Sequence, residues 1–161
     1  MDAVSIPETP AGIDSAWLNV ALDGWPEIES VVHEDIGEGT GIFGQISRLR
    51  LAYDAGADGA GAARATGDRA ETVVVKMACL EPENLAVANA LGLYERELRF
   101  YEELSENVPF RIPDRHVAVR GDDGRFVLVM EDLEGRFTVG DQVIGATVAQ
   151  AERIVDVLVR F

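Results

Sequence analysis

The chain has 161 residues, of which 47% are hydrophobic, and a formal net charge of −15 at pH 7. This length and apolar content predict one globular domain with a buried core and exclude intrinsic disorder. The negative charge argues against nucleic acid or an anionic membrane as a partner, because both attract basic surface. The single cysteine, the acidic N-terminus and the lack of an apolar run of about 18 residues indicate a soluble protein of the reducing cytoplasm.

Residues 1–29 are predicted to form an N-terminal extension with one short helix. Asp14 or Ser15 is placed to cap this helix, because short polar side chains bind the free amides of a first turn. The apolar residues of the helix share one face: Trp17, Leu18, Ala21 and Leu22. Residues 30–36 then predict a short strand.

A glycine-rich turn follows, and we call residues 37–44 the flap. Residues 45–53 after it alternate between two sides, the first holding Ser47, Leu49, Leu51 and Tyr53 and the second holding Arg48, Arg50 and Ala52. A period of two predicts a half-buried strand. Gly39, Gly41 and Gly44 also match the G-x-G-x-x-G of dinucleotide-binding proteins, but that motif must open a helix.

The middle of the chain predicts a loop, a strand and a helical region. Residues 54–71, rich in glycine, alanine and aspartate, are interpreted as a solvated connection. The β-branched residues 72–78 predict a strand. Helical sequence begins near Glu81, with an interruption at Gly92 and a stronger helix over residues 93–104.

Two charges lie on predicted apolar faces. Lys76 shares its strand face with Val74 and Ala78. Glu97 lies within the apolar stripe of the helix, which holds Leu93, Tyr94, Leu98, Phe100, Tyr101 and Leu104. Because an unpaired buried charge costs roughly 3–5 kcal/mol, Lys76 and Glu97 are predicted to pair. The alternative leaves Lys76 at a sheet edge and Glu97 on a solvated face.

The last part of the chain predicts a hairpin, a crossover and a helix. Residues 117–119 and 126–130 flank a turn at 121–124. Residues 131–145 are a polar crossover, and an amphipathic helix begins near Thr147. Together, these elements predict an α+β fold: a twisted antiparallel sheet of about five strands with a helix packed across it.

Four segments resemble, in this order, the small lobe of a kinase. Residues 39–46, GTGIFGQI, resemble the protein-kinase flap G-x-G-x-F-G-x-V, and residues 74–76, VVK, resemble its third strand. Residues 97–101, ELRFY, and 128–133, LVMEDL, are similar to segments of the aminoglycoside phosphotransferases and the ecdysteroid-kinase-like (CHK-like) small-molecule kinases. The resemblance covers residues 30 to 161.

This resemblance implies a protein-kinase-like small lobe over residues 30–133, with a five-stranded antiparallel sheet and a packed helix C. Residues 134–161 would be the hinge crossover and the first helix of a large lobe. It also implies that the chain binds ATP. The flap glycines Gly39, Gly41 and Gly44 would let the backbone approach the triphosphate, Lys76 would orient the α- and β-phosphates, and Glu97 would orient Lys76.

The resemblance implies a second set of residues around adenine. Ile46 and Val74 would form an apolar ceiling over the ring, and Met130 would be the gatekeeper. The Glu131 carbonyl and the Leu133 amide would bind the adenine edge.

The chemistry of these kinases depends on an H-x-D loop, an asparagine and an aspartate that binds Mg²⁺, none of which follows the predicted hinge. Both histidines, His33 and His116, precede it. We therefore expect no catalytic residue in this chain and Mg²⁺ ligands in a further lobe.

The chain is interpreted as the ATP-binding N-terminal part of a phosphotransferase that acts on a hydroxyl or amine of an unknown small molecule. By itself it is expected to be inactive and to self-associate through the surface that a large lobe would cover. One alternative is a non-catalytic module that binds nucleotide weakly or binds a protein partner. The other, a nicotinamide-dependent oxidoreductase, requires residues 45–53 to be helical.

Overall fold

The computed structural model describes residues 4–36, 42–53, 70–138, 140–141 and 143–160. Within these residues the chain has an α+β fold, an open antiparallel sheet of five strands with four α-helices. The strands are β1 (Ile28–Asp35), β2 (Gly44–Tyr53), β3 (Thr72–Ala78), β4 (Arg115–Arg120) and β5 (Phe126–Glu131). The helices are α1 (Ser15–Ala21), α2 (Pro82–Ala90), α3 (Leu93–Arg99) and α4 (Val148–Leu158).

The sheet confirms the predicted strands. Its order is β1-β2-β3-β5-β4, and each neighbouring pair is antiparallel. β2 covers the residues whose alternation predicted a strand, so the helix that the oxidoreductase alternative requires over residues 45–53 is not formed. The predicted hairpin is also present, and its turn ends at Gly124, whose φ of 80° is in the left-handed region that favours glycine.

One face of the sheet packs against the N-terminal segment. Alternate residues of the central strands point to this face, among them Leu49, Val73, Val75, Val127 and Val129. They meet Ile13, Trp17, Leu18 and Leu22 from α1 and its flanks. The Asp14 carboxylate caps α1 by accepting a hydrogen bond of 2.8 Å from the Trp17 amide, as predicted.

The opposite face packs against α2 and α3. Its buried residues are Ala78, Ala88, Tyr94, Leu98, Phe126, Leu128 and Met130. Because side chains alternate along a strand, this face also receives Lys76, which lies two residues before Ala78. We call it the site face.

The predicted helix over residues 93–104 is divided in two. It follows the expected break at Gly92, where φ is 63°. The α-helical part ends at Arg99, and residues Phe100–Leu104 continue as a π-helix. The wider π turn rotates the end of the predicted apolar stripe, and the Leu104 side chain is 45% exposed.

Helix α4 begins at the predicted place. Thr147 and Gln150 form a capping box, in which each side chain bonds the other residue's backbone amide. The helix exposes apolar residues, including Ile154, Val155 and Leu158. Among the described residues, no helix combines the length and the apolar character needed to cross a bilayer.

Candidate functional site

Lys76 and Glu97 form an ion pair on the site face. The Lys76 Nζ donates to both carboxylate oxygens of Glu97, at 2.6 and 2.8 Å. The pairing predicted from the sequence is therefore confirmed. The two side chains keep 27% and 28% of their surface exposed. Because water reaches the pair, its contribution to stability is about 1 kcal/mol or less, below the cost assumed for a fully buried charge.

Lys76 is also distinctive in the composition. Of the 14 lysine and arginine residues in the chain, Lys76 is the only lysine. A lysine presents a compact charge with three N–H donors on a flexible stem, whereas an arginine presents a rigid planar fork. The use of arginine at the other 13 basic positions is a sequence signal that distinguishes position 76.

Gly44 lies close above Lys76. It opens β2 opposite Ala78, and the next residue on the same face, Ile46, pairs with Lys76 itself. A β-carbon at Gly44 would lie 3.4 Å from the Lys76 Cε and 3.3 Å from the Met77 carbonyl oxygen. A larger side chain there would displace the lysine. The other flap glycines, Gly39 and Gly41, lie outside the described residues.

A cleft opens on the same face, beside the lysine. It has a volume of about 420 Å³, within the range of small-molecule sites. Its lining includes Val74, Met130, Glu131 and Leu133, four of the residues predicted to surround adenine. Ile46, which was predicted to join Val74 over adenine, lies outside this lining and next to Lys76.

The sheet register fixes the relation between the cleft and the lysine. Val74 stands between Arg48 and Met130 in one cross-strand row, and Lys76 stands between Ile46 and Leu128 in the next row on that face. Two residues along a strand span roughly 7 Å. The site face thus offers a partly apolar cleft and, one row away, a cation.

Arg48 is a candidate site residue that was not predicted from the sequence. The alternation of β2 placed it with Arg50 on the side opposite the core residues, but Arg48 is 7% exposed. Its Nε lies 2.6 Å from the Asp132 Oδ2, and its Nη1 lies 3.1 Å from Glu134 and 3.4 Å from Glu34. Burial favours a higher pKa for the Asp132 carboxyl, but the hydrogen bonds from Arg48 and from the Glu134 amide outweigh it and lower that pKa.

The segment 131–134, which we call the hinge segment, is also held from the other side. The Glu131 carboxylate accepts hydrogen bonds from Arg111 and Arg136, and from the Asp114 amide at 3.1 Å. Burial alone would raise the pKa of Glu131, but these hydrogen bonds outweigh it and lower that pKa. Each carboxylate of the hinge segment therefore has an arginine partner.

Tyr94 attaches α3 to the end of β3. Its hydroxyl accepts a hydrogen bond of 3.3 Å from the Cys79 amide and lies 3.2 Å from the Cys79 Sγ. Its ring packs on Phe126 with a centroid distance of 4.9 Å. Glu97 lies one turn further along α3, so this attachment helps to position the carboxylate that binds Lys76.

Replacing Tyr94 with phenylalanine is expected to lower the free energy of unfolding by about 1–2 kcal/mol at pH 7, because the buried Cys79 amide loses its acceptor. Burial raises the pKa of Tyr94 to about 12, from an ordinary value of 10.0. The unfolded chain therefore loses this proton first, and wild-type stability should fall as pH rises from about 10 towards 12. Denaturant unfolding of both proteins across this range checks the prediction. If the free energies of unfolding of the wild type and Tyr94→Phe change in parallel between about pH 10 and 12, the prediction is contradicted.

The described residues do not fit a Mg²⁺ site. They contain no group of three or more histidine, cysteine, aspartate or glutamate side chains able to hold a metal ion. The carboxylates next to the cleft are instead engaged by arginines.

Comparison with protein-family models, with curated proteins and with solved structures finds no match to this chain. The function proposed for this chain therefore rests on the geometry of the site face and on the short motifs of the sequence.

Proposed function

We propose that this chain binds ATP, as the nucleotide-binding part of a phosphotransferase that acts on a hydroxyl or amine of a small molecule. The observation that carries the proposal is the placement of the Lys76–Glu97 pair one cross-strand row from the cleft lined by Val74, Met130 and Leu133. An adenine nucleotide has the same two parts, a flat heterocycle and a polyanion. The motif resemblance to the aminoglycoside phosphotransferases and ecdysteroid-kinase-like enzymes points the same way.

The cleft suits the heterocycle. Val74 and Met130 supply apolar surface from neighbouring strands, and the hinge segment lines one side. Pockets of this kind, mostly apolar with a few placed polar groups, are typical of cofactor sites. In the proposal, the Glu131 carbonyl and the Leu133 amide bind the adenine edge.

Lys76 suits the phosphates. Glu97 accepts two of the three N–H donors of the ammonium group, which leaves one for a phosphate oxygen. Glu97 also fixes the direction of the lysine stem, so the charge is in place before an anion arrives. Gly44 lets β2 start close above this stem. Bound ATP would supply the phosphoryl group, and the residues described here would bind and orient it.

The proposal assigns binding, and no transfer step, to residues 1–161. The sequence has no H-x-D loop after the hinge segment, and the described residues hold no metal cluster. We therefore expect no ATP turnover by this polypeptide with any alcohol or amine acceptor. The single cysteine, Cys79, agrees with the cytoplasmic location that we propose.

Isothermal titration calorimetry of the chain with ATP, adenosine and inorganic triphosphate tests the proposal. We expect ATP to bind more tightly than either part, because it occupies the cleft and the lysine together. EDTA in the buffer keeps metal ions out of the comparison. Failure of ATP to bind at millimolar concentration would contradict the proposal, as would equal affinity for ATP and triphosphate.

A further inference from the structure

Arg48 links the second strand to the hinge segment through a buried ion pair. The Arg48 and Asp132 side chains are 9% and 4% exposed, and their Nε–Oδ2 distance is 2.6 Å. The two residues are 84 positions apart in the sequence. Removing one partner of such a buried pair leaves the other charge uncompensated, so the contact strongly constrains both segments.

The Asp132 side chain also binds the backbone of the hinge segment. Its Oδ1 accepts a hydrogen bond of 3.0 Å from the Glu134 amide, which closes a turn around Leu133. Its carbonyl accepts a hydrogen bond of 3.2 Å from Arg136. The carboxylate that Arg48 holds therefore fixes the peptide group after Leu133 and closes a turn that contains the Leu133 amide, while Arg136 holds the peptide group before it.

We propose that Arg48 is a positioning residue that makes the cleft selective for adenine over guanine, by holding the Leu133 amide in place through Asp132. The inference rests on the proposed function. Adenine presents an N–H donor beside a ring acceptor on its pairing edge, and guanine presents a carbonyl acceptor beside a ring donor. In the proposed binding mode, the Glu131 carbonyl and the Leu133 amide match the first pattern and oppose the second. A loosened turn can rotate its peptide groups and admit guanine.

The experiment compares the dissociation constants of ATP and GTP for the wild type and for Arg48→Met. Both nucleotides carry the same triphosphate, so the ratio of their constants reports the base alone. We expect the wild type to prefer ATP and the preference to fall about tenfold in the variant, the size of one well-placed hydrogen bond. Arg50→Met is the matched control, because Arg50 lies two residues further along β2, is exposed and also pairs with Glu34.

Asp132→Asn provides a second test that is expected to keep the fold. Asparagine retains an oxygen for the Glu134 amide but presents an NH₂ donor to Arg48, so the link to Arg48 is lost and the preference for ATP is expected to fall as in Arg48→Met. Arg48 keeps Glu134 and Glu34 within 3.1 and 3.4 Å. If Arg48→Met does not fold, the ratio of the ATP and GTP dissociation constants of Asp132→Asn tests the inference instead. An unchanged ratio in a folded variant, or an equal fall in Arg50→Met, would overturn the inference and leave the proposed function intact. Failure of the wild type to bind ATP would overturn both.

Discussion

Replacing Lys76 with methionine is expected to weaken the binding of ATP by about 10- to 100-fold and to leave the affinity for adenosine almost unchanged. Methionine keeps an unbranched apolar stem but removes the ammonium group that would bind phosphate oxygens. The effect is expected to be confined to the anionic part of the ligand, because the cleft proposed for adenine lies one cross-strand row away. Calorimetry with both ligands, at one ionic strength, measures the two affinities.

Arg50→Met is the control for charge. It removes one cation, as Lys76→Met does, from a side chain that is 56% exposed on the neighbouring strand. A general loss of attraction for anions would appear equally in both variants and would contradict the role given to Lys76. Since the Lys76–Glu97 pair is partly hydrated, Lys76→Met should change the free energy of unfolding by no more than about 1 kcal/mol.

Replacing Gly44 with valine is expected to weaken the binding of ATP by more than about tenfold and the binding of adenosine by less than about threefold. A β-carbon at this position already meets the Lys76 Cε at 3.4 Å and the Met77 carbonyl at 3.3 Å. The two further methyl groups of valine must push the lysine stem or the start of β2 aside. Both changes act on the part of the site proposed to bind phosphate, and Gly44 does not line the cleft.

Gly140→Val is the matched control for this substitution. Among the described residues other than its chain neighbours, no heavy atom lies within 4 Å of a β-carbon built at Gly140, so the same change adds bulk without a contact there. Titration of ATP and adenosine into the two valine variants measures the difference. Equal weakening of both ligands by Gly44→Val would mean that the glycine serves the strand start alone.

The strands and the ion pair could be predicted from the sequence because their signals are local. In β2, alternate residues such as Leu49 and Leu51 face one side, and this period alone excludes a helix. Lys76 and Glu97 each stood alone on an apolar face, so each required a partner of opposite charge. Their pairing followed from electrostatics without knowledge of the fold.

The environment of Arg48 could not be predicted in this way. Arg48 and Arg50 lie on the same side of the alternating strand β2, yet Arg48 is buried and Arg50 is exposed. The difference arises from Asp132, which follows β5 and binds the Arg48 side chain across the intervening strand β3, although it is 84 residues away in the sequence. A local hint was the acidic hinge segment, whose first carboxylates directly follow the buried strand β5.

The π-helix after α3 was also not predictable from periodicity. The apolar spacing of residues 93–104 fits a regular helix, and the change of hydrogen bonding at Phe100 leaves no trace in that spacing. The exposure of Leu104 follows from this change.

The proposed role of Lys76 can be tested by NMR because Lys76 is the only lysine in the chain. Protein labelled with ¹⁵N-lysine gives one side-chain ammonium signal, so its NMR spectrum reports on Lys76 without assignment. Metal-free ATP in EDTA is expected to shift this signal, adenosine is expected to leave it in place, and the shift should titrate with the affinity found by calorimetry. An ammonium signal that does not move when calorimetry shows the protein to be saturated with ATP would contradict the claim that Lys76 binds the phosphates.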